Sequence, residues 1–145
     1  SVGIAEVSAR ERGDFLVGEA DVGRGLVVAV LGRLGGGESA EAHIVAVEVP
    51  ELGAAARRGQ ALFQGTCADC HGGKAQGTEQ GPPLIHDYYK PSHHGDAAFY
   101  RAMRQGVTAH HWHFGDMPPQ PGFDQREVAA LVAYVRTLQR ANGVR

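Results

Sequence analysis

The spacing of apolar positions along the chain changes once, near residue 50. Before that point they fall in short runs, Phe15–Val17, Leu26–Leu31 and His43–Val49, rich in β-branched residues and separated by glycine, notably Gly35-Gly36-Gly37. This pattern predicts two or three strands, the last two paired as an antiparallel hairpin across the glycine loop, with Pro50 ending the last. A hairpin alone is marginal in water. Leu26–Leu31, apolar on both faces, asks for cover from the second half of the chain, from another copy or from a neighbouring part of a larger protein. His43 alternates with Val45 and Val47, so it reads as a strand-face side chain rather than a ligand.

From Gly53 onward the period is helical. Ala54–Phe63 is dense in helix formers and sets Gly59 and Phe63 on one face. A glycine inside a helix costs about 1 kcal/mol relative to alanine, so a close approach by another helix is expected at Gly59. The natural partner is a final helix from Asp124 to about Ala141, with Asp124 and Glu127 spaced as a capping box. Val128, Leu131, Val132, Val135 and Leu138 form its apolar stripe, Tyr134 stands at the border, and Asn142-Gly143 ends it. A third, shorter helix is expected over Asp96–Gln105, carrying Ala97, Phe99, Tyr100 and Met103 and stopped by Gly106. The chain therefore divides into a β-rich segment, 1–50, and a helical domain, 51–145.

Composition narrows the function classes. With 43% hydrophobic and 21% charged residues over 145 positions, the chain is of ordinary globular make-up and single-domain size. A formal net charge of -2 gives no reason to expect nucleic acid or an anionic membrane as partner. No apolar run is long enough to span a bilayer. Ser1 opens no signal peptide, so the numbering is expected to start at a processed or truncated end, with a possible anchor or domain upstream.

Both cysteines lie in Cys67-Ala68-Asp69-Cys70-His71. Cys-x-x-Cys-His is the attachment signature of a c-type haem. Two thiols on one turn of chain can each add to a vinyl group, and the adjoining histidine is then held beneath the iron. Zinc would need four ligands, and there is no third cysteine. A thioredoxin-like site follows a strand, whereas a helical pattern precedes this one.

Residues 53–141 resemble a class I cytochrome c. The resemblance is carried by the Gly59/Phe63 helix running into Cys67–His71, the Gly81-Pro82-Pro83-Leu84 loop, Met117-Pro118 and the Tyr134-bearing last helix, in that order. It covers about two-thirds of the chain and leaves residues 1–50 outside. It implies a mainly α fold in which the first and last helices cross and enclose one covalent haem c, preceded here by a short N-terminal β segment. It also implies His71 and Met117 as axial ligands and the Pro82 carbonyl as acceptor for the second ring nitrogen of His71. Met117 qualifies on its own chemistry as well: it sits in an irregular Gly-Asp-Met-Pro-Pro segment, and a thioether opposite histidine raises the reduction potential. The competing role is a methionine filling a gap beside the ring. Tyr88, Tyr89 and Trp112 are candidate donors to haem propionates or, equally, rim aromatics.

Six of the eight histidines, His86, His93, His94, His110, His111 and His113, lie between the two expected ligands. Three roles compete: a second metal, copper or zinc, at His93, His94, His110 and His111, joined by Asp87 or Asp96; alternative ligation of the iron; or hydrogen-bonded loop residues, the leading expectation. Adjacent histidines diverge on most backbones, which weighs against a His-His pair on one ion.

The sequence thus predicts a one-electron carrier with a His/Met-ligated haem, shuttling electrons to or from a redox enzyme or respiratory complex, in the periplasm or another extracytoplasmic compartment. No catalytic residue is evident. The alternatives are an electron-entry domain of a larger oxidoreductase, and a haem sensor or enzyme with an open sixth position.

Overall fold

Helix α1 spans Ala54–Thr66, and Cys67 then bonds back to Phe63 O (2.8 Å), so the chain leaves α1 directly into a four-residue turn of helix, α2, Ala68–His71. Helix α3 is Asp96–Gln105 and α4 is Gln125–Ala141, with a single 3-10 turn at Asp87–Tyr89 between α2 and α3. The computed structural model describes residues 43–145. Among them there is no sheet, only two isolated bridges, Thr78 with Gly81 and Val107 with Met117.

The start of α4 follows from its first residues. Asp124 Oδ1 accepts from the backbone N–H groups of Arg126 (2.7 Å) and Glu127 (2.8 Å), and Glu127 Oε2 accepts in return from Asp124 N (2.9 Å). The expected capping box is present, and it satisfies N–H groups that a helix start otherwise leaves without acceptors.

Helices α1 and α4 make the most extensive helix–helix contact. A Cβ built on Gly59 would lie 1.8 Å from Ala130 O, so the backbones touch where the sequence asked for a close approach. Phe63 and Tyr134 meet beside this crossing, ring edge to face at 5.4 Å. Tyr134, expected at the border of the apolar stripe, is fully buried; its hydroxyl donates to Gly73 O (2.8 Å) and so carries no unpaired polar group into the core. The core around it is built from Phe63, Leu131, Val135 and Leu138, with Met103 contributed by α3.

His43–Val49, expected as a strand, alternates inward and outward as a strand would, with Val45 and Val47 against the core. Its backbone, however, finds loop and side-chain partners. Val45 N donates to Gln76 O (2.9 Å), while the Asn142 amide accepts from Glu48 N (2.9 Å) and donates to Glu48 O (2.8 Å), standing in for a neighbouring strand. His43 Nε2 meets Thr78 O at 2.6 Å, which satisfies that ring nitrogen. The other expected strands, Phe15–Val17 and Leu26–Leu31, lie outside the described residues.

Candidate functional site

The site is assembled from three loops that α1, α3 and α4 hold in place. The first is the motif itself. His71 N bonds to Cys67 O (2.9 Å), so Cys67–His71 closes one helical turn, with Cys67 half-buried and Cys70 exposed. Burial pushes the Cys67 thiol up to about 11, and the Cys70 thiol adds to the shift. The His71 ring is oriented by the second loop: Nδ1 lies 2.8 Å from Pro82 O, the contact that the family resemblance implied. With Nδ1–H donated there, Nε2 keeps its lone pair, the form that binds metals. Burial lowers the His71 pKa from 6.5, and the Pro82 hydrogen bond acts against it.

The third loop carries Met117. Val107 and Met117 exchange both backbone hydrogen bonds at 2.9 Å, closing the segment between them, and Asp116 Oδ1 accepts from Ala109 N inside it (2.9 Å). Gly106 makes that closure possible. Its φ is +75°, and a Cβ there would come 2.4 Å from Met117 O. Met117 is half-buried, whereas Met103, on α3, is buried in the core.

Cys67, His71, Pro82, Met117, Tyr89 and Trp112 all line one cavity of about 1070 Å³, its open mouth included. The remaining walls are mostly apolar side chains of α1, α3 and α4, such as Phe63, Phe99, Leu131 and Val135. A c-type haem fits the donor set: two thiols for its vinyl groups, an imidazole nitrogen and a thioether for its iron, and apolar walls for its ring. Trp112 adds a specific match, since its buried Nε1–H has no hydrogen-bond partner and is free to serve an acidic substituent. Burial pushes the phenol of Tyr89 up to about 12, and the Trp112 indole beside it pulls the other way. Tyr88 is not brought to the cavity. It is 40% exposed and stacks on His111 (4.5 Å between rings, 18° between planes).

The remaining histidines separate. His86 Nδ1 accepts from Tyr88 N (3.2 Å), and His113 is exposed. His94, His110 and His111 reach the cavity rim, and His93 stands beside them. The His111 pKa is lowered, by desolvation first and then by the neighbouring imidazoles of His110, His94, His93 and His86.

Sequence reasoning missed Arg136 and Gln139. Gln139 is fully buried and Arg136 nearly so. Arg136 donates to Asp96 Oδ1 (2.8 Å), Tyr89 O (2.8 Å), His94 O (2.5 Å) and Gln139 Oε1 (2.6 Å), and its guanidinium lies 4.9 Å from the Phe99 ring centre. Gln139 Nε2 donates to Leu84 O (2.8 Å). Together they fasten the loop running from Leu84 to His94 onto α4, behind the cavity wall. A signal was present: Arg136 and Gln139 follow Val132 and Val135 by four residues, on the helix's inner stripe.

Comparison with known proteins agrees with this geometry. The family model described as Cytochrome c matches residues 56–139. A cytochrome c-553-like protein of Synechocystis sp. is 35% identical over 85 residues, covering 57% of this chain and 69% of that protein. No solved structure matches significantly. A helical body crossed at Gly59, a Cys-x-x-Cys-His turn at the cavity's edge and a family match spanning both place this chain in the cytochrome c family.

Proposed function

We propose that the chain carries single electrons through a haem c attached at Cys67 and Cys70 and ligated by His71 and Met117. As a member of the cytochrome c family it is a haem-based electron-transfer protein, a carrier rather than an enzyme. The observation that carries the finer reading is the convergence of Cys67, His71 and Met117, distant in sequence, on one apolar cavity.

When bound, the haem supplies the one-electron couple of its iron; the chain supplies everything else. Cys67 and Cys70 hold the group covalently. His71, fixed by Pro82 O, presents Nε2, and Met117 presents a soft sulfur that favours the reduced state. Pro118 and Pro119 stiffen the chain after the methionine, limiting movement on change of charge. Apolar walls exclude water, and the Trp112 N–H is available to an acidic group on the ring. Electrons pass at the cavity's open mouth to a redox protein partner, an oxidoreductase or respiratory complex, in an extracytoplasmic compartment such as the periplasm, where haem of this kind is attached.

Carbon monoxide distinguishes this from a sensor or enzyme with an open sixth position. The reduced wild-type protein is expected to react slowly with carbon monoxide, and Met117→Ala rapidly. Equal, rapid reaction by both would show that Met117 does not close the site.

A further inference from the structure

Outside the cysteine motif, one group of three metal-ligating side chains stands out among the described residues: His93, His94 and His111, which bring one ring nitrogen each to within 4.8 Å of the others. We propose that these three imidazoles bind a divalent late first-row cation of the zinc or copper type, at the rim of the cavity. His93 Nε2 and His111 Nε2 are 3.4 Å apart, long for a hydrogen bond of about 2.7–3.2 Å. It matches the separation of roughly 3.3–3.4 Å between two nitrogens bound at about 2.0–2.1 Å to a tetrahedral ion.

The protein also orients the rings as it would for a metal. His94 Nδ1 lies 2.5 Å from Tyr88 O, which takes its N–H and leaves Nε2 a lone pair, the usual arrangement behind a metal-bound imidazole. The His111 ring is held by its stack on Tyr88. Adjacent histidines diverge on regular backbone, but His93 and His94 sit on a tight turn in which both backbone N–H groups bond to Lys90 O (2.9 and 2.8 Å). Their rings end 4.6 Å apart. His110 is a fourth candidate: its Nδ1 lies 2.8 Å from Thr108 O, and its ring is 4.2 Å from that of His111. Three neutral imidazoles with positions left for water suit zinc and copper and do not suit magnesium or calcium, which prefer oxygen ligands.

The site joins two loops that serve the cavity. The turn carrying His93 and His94 is fastened to α4 through Arg136, and His111 belongs to the segment closed by the Val107–Met117 bridge. A bound cation therefore braces the Met117 loop against α4.

Equilibrium dialysis of the oxidised, haem-loaded protein against Zn2+ tests the proposal, with Mg2+ as control. One zinc per chain is expected, removable by chelator, with affinity falling more than about tenfold in His93→Gln and in His111→Gln and unchanged in His113→Gln. Should His111→Gln disturb the cavity, the exposed His93→Gln carries the test alone. The absence of stoichiometric zinc binding, or zinc binding unaffected by His93→Gln, overturns the proposal. Neither result bears on haem ligation, which is read separately from the optical spectrum.

Discussion

Single residues decide whether the cavity can hold its methionine. Gly106 combines a left-handed backbone with a Cβ position 2.4 Å from Met117 O, so any side chain strains the turn and displaces the carbonyl that pins the loop. Gly106→Ala is expected to lower stability by about 1–3 kcal/mol and to weaken or abolish the near-infrared methionine–iron band of the oxidised protein. A variant with an unaltered band would show that the loop does not depend on this closure. At the same scale, Met117 and Met103 could be told apart in sequence, because one lies in a proline-rich segment and the other at core spacing on a helix. The roles of Tyr88 and Tyr89 could not. The two are neighbours on a 3-10 turn, and only the folded chain turns one to the cavity and the other to His111.

At the scale of elements, the helices were largely readable and the extended segment only half so. Asp124, Glu127 and the stripe from Val128 to Leu138 define α4 locally, because caps and periodicity are local properties. His43–Val49 shows strand periodicity, yet its partners, Gln76 and Asn142, are supplied by tertiary structure that no local pattern announces. The crossing of α1 and α4 leaves no room for a methyl group, so Gly59→Ala is expected to cost about 2–3 kcal/mol in denaturant unfolding. A neutral outcome would mean that the helices do not touch there. The Asp124 cap has a pH signature. Hydrogen bonds from the backbone of Glu127, chiefly, hold its carboxyl below the ordinary 3.8. A carboxylate with a depressed folded pKa contributes stability fully present above 3.8 and lost as the pH falls through the lower folded value. Asp124→Ala should therefore melt a few degrees below wild type at pH 6, with the difference shrinking below pH 4. A difference that is constant with pH would rule out this origin.

Across the whole molecule, the Cys-x-x-Cys-His motif was legible because its chemistry demands a fixed spacing, whereas the Arg136–Gln139 network was not, because its acceptors are backbone carbonyls of a distant loop. That network matters more than the ion pair within it. Asp96 is 63% exposed, so its attraction to Arg136 is screened, while the carbonyls of Tyr89 and His94 lose a partner if the guanidinium is removed. Arg136→Met is expected to cost about 2–3 kcal/mol and to speed hydrogen exchange in the loop behind the cavity. Unchanged exchange there would separate the arginine from the loop.

All of these elements converge on the cavity lined by His71 and Met117, where we propose that a haem is held. The optical spectrum of the purified protein, oxidised and reduced and with a pyridine haemochrome assay, tests that claim most directly. The account predicts a c-type haemochrome with a weak near-infrared methionine–iron charge-transfer band in the oxidised form. A c-type spectrum without that band would contradict Met117 ligation and give the sixth position to a histidine or leave it open. A protein that carries no covalent haem would contradict the account as a whole.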